Sequence, residues 1–144
     1  MLFTIMPYMH FNEHTSVEAP LRYIIPGKPV PLQRPRYSIA HIYDCQKREK
    51  ASARIWIQNQ HGDTDLYAGS LLLNVEFYFE TPKRTQSLNG KYHIGPPDTD
   101  NCLKFLCDIS QGLLYKNDSQ IAQIIATKLY DRTPRTEFTI TQIK

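Results

Sequence analysis

Acidic side chains are concentrated in one short stretch of this 144-residue sequence, IGPPDTDNCLKFLCD at residues 94–108. Asp98 and Asp100 follow the dipeptide Pro96-Pro97, and a run of residues apolar enough for a buried helix comes next. In an extended chain alternate residues point to the same side, so these two carboxylates can face one ligand. Asp is also a common cap at helix N-termini, which would explain one of the two acids but not both.

A helix that begins just after the prolines places Asp100, Lys104 and Asp108 on one face, because they are four residues apart. This row is either a set of surface ion pairs or part of an active site. Asp118 lies in the polar turn YKNDSQI and returns beside Asp98 and Asp100 if the helix and the next strand are neighbours. Three adjacent carboxylates repel each other unless a cation or protons offset them. Oxygen ligands favour Mg²⁺ or Mn²⁺.

Charge is distributed unevenly along the chain. The formal net charge is +3, but residues 22–54 hold eight Lys or Arg and two Asp or Glu, which leaves a surplus of acids elsewhere. A basic part beside an acidic part suits a polyanion that one part holds and the other acts on. Three cysteines without CxxC spacing indicate neither a disulfide framework nor a zinc site. We therefore expect reduced thiols, a cytoplasmic location and no membrane span.

The elements that must position these residues follow from apolar periodicity. Strands are predicted at 21–27, 37–44, 70–80, 121–131 and 137–144, and helices at 45–60 and 101–114. The first helix would be capped by Asp44 and would turn Ala51, Ile55 and Trp56 to the core. The Pro-rich residues 28–36 should be extended and outside the sheet, and the last two strands are joined by RTPR, a link of hairpin length.

This element order predicts an α+β fold, with a mixed β-sheet and two main helices packed on it. Residues 1–20 lack periodicity and are interpreted as a loose N-terminal arm, and residues 21–144 as a single domain. Residues 81–97 form a long polar segment without a helix or strand signal, and loops of this length are often functional or mobile.

The stretch PPDTDNCLKFLCDISQGLLYKNDSQI resembles the signature of the RusA-type Holliday junction resolvases, in which a PDxDNLxKxxxDxL motif is followed by a D/N-D-x-Q segment. The segment IIPGKPVPLQRPR also resembles the opening strand and basic turn of that family. Cys102 stands where the family has Leu, and Asn117 where many relatives have Asp.

The resemblance implies that Asp98, Asp100 and Asp118 are the catalytic, metal-binding aspartates and that Lys104 is the active-site lysine. Asp108 matches a further family acid. It also implies a Mg²⁺- or Mn²⁺-dependent homodimer that nicks two strands of four-way junction DNA symmetrically, in recombination and repair. Phosphate contacts are then expected from the basic residues Lys28, Arg34, Arg36, Lys47, Arg48, Lys50, Lys83 and Arg84.

Two other functions are compatible with the same residues. One is a branched-DNA-binding protein that no longer cuts, and the other is a nuclease for flaps or other branched DNA. The intact set of Asp98, Asp100, Lys104 and Asp118 argues against the first, since a protein that no longer cuts would not need these acids together. The sequence does not separate the second from a junction resolvase, because branch selection depends on how a dimer spaces its two sites.

Overall fold

The architecture was obtained as a computed structural model that describes residues 19–144, so most of the expected arm at 1–20 lies outside the described residues. In chain order the elements are β1 (Arg22–Pro26), β2 (Arg36–Tyr37), β3 (Ile42–Tyr43), α1 (Lys47–His61), β4 (Leu71–Glu80), a 3₁₀ turn (Gln86–Leu88), α2 (Thr99–Ser110), a second 3₁₀ turn (Asp118–Gln120), β5 (Ile121–Asp131) and β6 (Arg135–Gln142).

The main sheet has the strand order β1-β6-β4-β5, with β4 parallel to β5 and antiparallel to β6. The predicted α+β fold with a mixed sheet and two helices is therefore confirmed. The short link RTPR does not close a hairpin, because β5 and β6 pair with opposite edges of β4 rather than with each other. β4 is the most regularly apolar strand, so pairing on both sides buries it best.

The two faces of the sheet differ in chemistry. The face toward the helices carries alternate side chains of β4, as its period-two apolar pattern dictates, and these are 0–3% exposed: Leu71, Leu73, Val75, Phe77 and Phe79. On the opposite face Arg22 pairs with Glu76 and Glu137, and Arg135 also pairs with Glu137. Both helices, and with them the acidic residues of α2, therefore lie on the apolar side of the sheet.

The first helix begins later than predicted. Gln46, not Asp44, is the residue before its first turn, and the Asp44 carboxylate accepts hydrogen bonds from the Gln46 backbone N–H at 2.8 Å and from Lys50 Nζ at 2.6 Å. These two bonds, the one from Lys50 first, hold the pKa of Asp44 below its usual range. Asp44 thus stabilises the start of α1 from outside the helix.

The predicted core face of α1 was wrong. Ala53, Ile57 and His61 are buried, whereas Ile55 is 58% and Trp56 is 47% exposed. Ala51 is exposed as well. The helix contains two competing apolar rows, and contacts with β1 and α2 select the one that contains Ala53 and Ile57.

Residues 37–44 form no continuous strand, contrary to the prediction. β2 and β3 pair as a short hairpin, closed by a hydrogen bond from the Ser38 N–H to the His41 carbonyl at 3.0 Å. His41 N–H also donates to Ser38 Oγ at 3.2 Å, so the turn is stabilised by its own polar groups.

The Pro-rich segment 28–36 is extended outside the main sheet, as predicted, and only its last residue enters β2. The Leu32 N–H donates to the Asn101 carbonyl at 2.9 Å, which places this segment against the first turn of α2. Residues 81–97 are more ordered than the sequence suggested: they contain the first 3₁₀ turn, and Tyr92 forms a bridge to Leu129 of β5. Among residues 19–144, no helix is long and apolar enough to cross a bilayer.

Candidate active site

The acidic stretch lies at the N-terminus of α2, which begins one or two residues earlier than predicted. Asp98 precedes the first helical residue and is extended, with φ −67° and ψ 145°. Its carboxylate makes no capping hydrogen bond to the described backbone, although it occupies the capping position. Capping therefore does not account for the presence of Asp98, and its exposed side chain faces solvent.

One face of α2 forms a wall of a cavity of about 440 Å³, and this wall carries Asp100, Lys104 and Asp108 as the helical spacing predicted. Asp118 lines the same cavity, from the turn that leads into β5. Lys104 Nζ lies 3.2 Å from Asp100 Oδ2, one helical turn away. Asp108 pairs with Lys50 of α1 at 3.0 Å rather than with Lys104.

Asp118 is held in place by its neighbours. Its backbone N–H donates to Gln111 Oε1 at 3.0 Å, which ties it to the end of α2. Asn117 caps the 3₁₀ turn: its side-chain oxygen accepts from the Ser119 N–H at 2.9 Å, and Gln120 Oε1 accepts from the Asn117 N–H at 3.0 Å. Asn at position 117 thus makes the capping contact that an Asp would also make.

The opposite face of α2 is buried in the core. Cys102, Phe105, Leu106 and Ile109 are 0–5% exposed. Burial raises the pKa of the Cys102 thiol to about 11, so this cysteine is a protonated packing residue. α2 is therefore anchored by one face and presents its acidic face to the cavity.

The donor set fits a hard divalent cation in chemistry, since the acids offer oxygen only. Asp100 and Asp118 share a cavity, and Asp98 stands next to them in sequence but is not part of the cavity wall. Within residues 19–144, no three His, Cys, Asp or Glu side chains lie close enough together to hold a metal ion. The negative charge of Asp100 is balanced instead by Lys104, with which it forms an ion pair.

The basic residues differ in their exposure and in whether they form ion pairs within the protein. Lys50 is half-buried and pairs with both Asp44 and Asp108, which raise its pKa. The other seven basic candidates have exposed side chains: Lys28, Arg34, Arg36, Lys47, Arg48, Lys83 and Arg84.

Two further basic residues near the site are not among the expected phosphate contacts. Arg54 Nη1 donates to the carbonyls of Ile109 and Gln111, at 2.9 and 3.1 Å, and so satisfies the C-terminus of α2. Lys128 lies on the helix-facing side of β5, in register with Phe77. The sequence IAQIIATKLYD has no strict alternation that marks this position as inward, so only the register with β4 reveals it.

Comparison with known proteins identifies the family of the chain. A family model described as Endodeoxyribonuclease RusA matches residues 26–141, and the chain belongs to this family. An uncharacterized protein of Bacillus subtilis (strain 168), YqaN, is 28% identical over 137 residues, covering 85% of this chain and 96% of the relative. The family assignment makes the chain one of the endodeoxyribonucleases, which are hydrolases.

Proposed function

We propose that this protein is a Mg²⁺- or Mn²⁺-dependent endodeoxyribonuclease that resolves four-way DNA junctions by paired, symmetric nicks. The observation that carries the proposal is the shared cavity of Asp100, Lys104 and Asp118, which brings together two separate acidic motifs in a chain of the RusA family. Recombination and repair are the processes in which such junctions arise.

Asp98, Asp100 and Asp118 would hold the metal, which when bound lowers the pKa of a water molecule and stabilises negative charge at phosphorus. Lys104 has a different task. Its side chain is 61% exposed and its ammonium lies beside Asp100, so it can contact a non-bridging phosphate oxygen that enters the cavity. The Asp100 carboxylate keeps Lys104 within reach of that position before DNA binds.

The proposed DNA surface continues from the cavity onto the Pro-rich segment and the hairpin β2–β3. Arg34 and Arg36 are exposed there, next to Tyr37 and Tyr43, which are 78% and 48% exposed. Exposed arginines bind phosphates of any base sequence, and exposed aromatic rings can stack on unpaired bases. Of the basic residues in the first turn of α1, Lys47 and Arg48 are the proposed phosphate contacts, whereas Lys50 forms ion pairs within the protein.

We further propose that the active form is a homodimer with two-fold symmetry, since two symmetric nicks require two equivalent sites. The first part of β5 is the surface we assign to this contact. It is an edge strand of the described sheet, and Ile125, in register with Asn74 on the face away from the helices, is 48% exposed on it, whereas the neighbouring Ile124 lines the active-site cavity. Antiparallel pairing of two such edges is self-complementary.

The experiment that tests the proposal is cleavage of a synthetic four-way junction in Mg²⁺ by the wild type and by Asp100→Asn, with junction binding measured without metal. Paired nicks that Asp100→Asn reduces by about 10²–10³-fold, while binding persists, are the expected result. Asp63→Asn is a matched control, because Asp63 is exposed, lies in the turn after α1 and is not part of the cavity wall.

Other outcomes lead to the two alternatives. Tight junction binding without cutting in Mg²⁺ or Mn²⁺ would indicate a non-catalytic protein that binds branched DNA. Faster cutting of flaps or three-way junctions than of four-way junctions would keep the nuclease chemistry but change the substrate. Linear duplex of the same sequence serves as the reference substrate in each case.

A further inference from the structure

The backbone that leads to Asp98 runs along the outer edge of β5. The Gly90 N–H donates to the Tyr130 carbonyl at 2.8 Å, the Tyr130 N–H to the Lys91 carbonyl at 2.9 Å, and the His93 N–H to the Lys128 carbonyl at 2.9 Å. This ladder ends at His93. Residues 94–97 must be held by other contacts before the chain enters α2.

Those residues have few ways to be held. Pro96 and Pro97 have no backbone N–H, so this part of the chain offers mainly carbonyl oxygens as hydrogen-bonding groups. Carbonyls can only accept, and they need a donor from elsewhere in the protein. A lysine ammonium with three N–H groups is suited to bridge more than one of them.

Lys128 is that donor. Its Nζ lies 2.7 Å from the Gly95 carbonyl oxygen and 2.8 Å from the Pro97 carbonyl oxygen. The second carbonyl belongs to the peptide bond that joins Pro97 to Asp98. Hydrogen bonds from a charged donor are about twice as strong as neutral ones, so Lys128 restrains the position of this peptide group strongly.

The surroundings hold Lys128 in this position. Its side chain is half-buried, and its Nζ lies 5.9 Å from the centre of the Phe79 ring. The His93 ring stacks on Phe79 with centroids 4.1 Å apart and contacts Tyr130 at 4.7 Å. Two of the three ammonium protons are used on carbonyls, which leaves Lys128 poorly placed to act as a free phosphate contact.

We infer that Lys128 is a positioning residue for the metal site: by bridging the carbonyls of Gly95 and Pro97 it sets where the Asp98 carboxylate stands relative to Asp100 and Asp118. The inference rests on the proposed function, in which Asp98 binds the metal. Groups that orient metal ligands change metal affinity or activity by about 10–100-fold when they are removed.

The test compares Lys128→Met, Lys128→Arg and a matched control, Lys91→Met, whose lysine is exposed on the neighbouring segment. Mn²⁺ binding to the DNA-free protein is measured by electron paramagnetic resonance, and junction cleavage is measured across Mg²⁺ concentrations. Lys128→Met should weaken Mn²⁺ binding by roughly tenfold and lower kcat, with junction binding in the absence of metal unchanged. Lys128→Arg should recover most of both, because a guanidinium can also bridge two carbonyls.

A purely electrostatic role predicts the opposite sign for metal binding. Removal of a positive charge close to carboxylates should strengthen Mn²⁺ binding, so tighter binding by Lys128→Met would overturn the inference. Unchanged binding and unchanged cleavage in Lys128→Met would overturn it as well, while leaving the proposed function intact. A wild type that neither binds Mn²⁺ nor cuts any junction would contradict the proposed function instead.

A second variant with a neutral side chain provides a control in case Lys128→Met is misfolded. If Lys128→Met does not fold, Lys128→Gln is compared with Lys128→Arg at a temperature where both are folded. The expected order of Mn²⁺ affinity is then wild type, Arg, Gln, and equal affinity in all three would overturn the inference.

Discussion

Gln111, at the end of α2, accepts a hydrogen bond from the backbone N–H of Asp118 at 3.0 Å. The bond links the helix that carries Asp100 and Lys104 directly to the turn that carries Asp118. This exposed amide helps to fix the distance between the two acidic motifs, together with the buried Tyr115, whose hydroxyl donates to the Cys107 carbonyl at 2.9 Å.

Gln111→Ala should lower the rate of junction cleavage by about fivefold, because one hydrogen bond contributes about 1 kcal/mol to holding Asp118. The measurement is single-turnover cleavage at saturating Mg²⁺. Gln58→Ala, an exposed glutamine on α1, is the control and should cut at the wild-type rate. Equal rates in both variants would show that Asp118 is held without Gln111.

Asn117→Ala should destabilise the protein by about 1 kcal/mol, the usual cost of losing a capping side chain. Asn117→Asp should be nearly neutral in stability, because the carboxylate oxygen can accept the same bond from Ser119. Urea unfolding of the three proteins measures this. If the Asp variant loses as much as the Ala variant, the capping account of Asn117 is incorrect.

Lys47→Met and Lys50→Met should separate DNA binding from protein stability. Lys47 is exposed, and its loss should weaken junction binding and reduce the salt dependence of that binding by about one unit of slope. Lys50 pairs with Asp44 and Asp108, and its loss should lower the melting temperature by roughly 1–3 °C instead. A reversed pattern would mean that the ion pairs open when DNA binds.

The pKa of His93 is lowered, chiefly by burial and then by the charges of Lys128 and Lys28. The unfolded chain, with a His pKa of about 6.5, therefore binds more protons than the folded chain at mildly acidic pH. This contribution to stability is complete above about pH 6.5 and is lost as the pH falls toward the folded pKa.

His93→Phe, which keeps an aromatic ring against Phe79 and Tyr130, should reduce the loss of melting temperature between pH 7 and pH 5. His41→Phe is the control, since His41 is exposed. The same slope of melting temperature with pH in the wild type and in His93→Phe would contradict this assignment.

Ile125→Lys should convert the proposed dimer to a monomer, because it places a charge on the open edge of β5. Light scattering across a range of protein concentrations measures this. Ile24→Lys is the matched control: Ile24 is 40% exposed on β1, the strand at the opposite edge of the sheet. A dimer that survives Ile125→Lys would place the contact on another surface.

Local sequence patterns determined several features of this protein's secondary structure and of its site. The strict alternation in β4 fixes which residues face the core, since alternate side chains must point to opposite sides of a strand. The two prolines confine the start of α2 to the residues just after them, because proline cannot lie inside a helix. The spacing of Asp100, Lys104 and Asp108 then places all three on one face, as the cavity shows.

Only the tertiary structure decided three other features. α1 has two apolar rows of similar length, and the choice of Ala53 and Ile57 depends on contacts with β1 and α2 rather than on the helix itself. The pairing of β5 and β6 with opposite edges of β4 also overrides a link short enough for a hairpin. Lys128 acquires its role only when β5 lies beside residues 95–97, since its partners are carbonyls that every sequence contains and that only folding brings within reach.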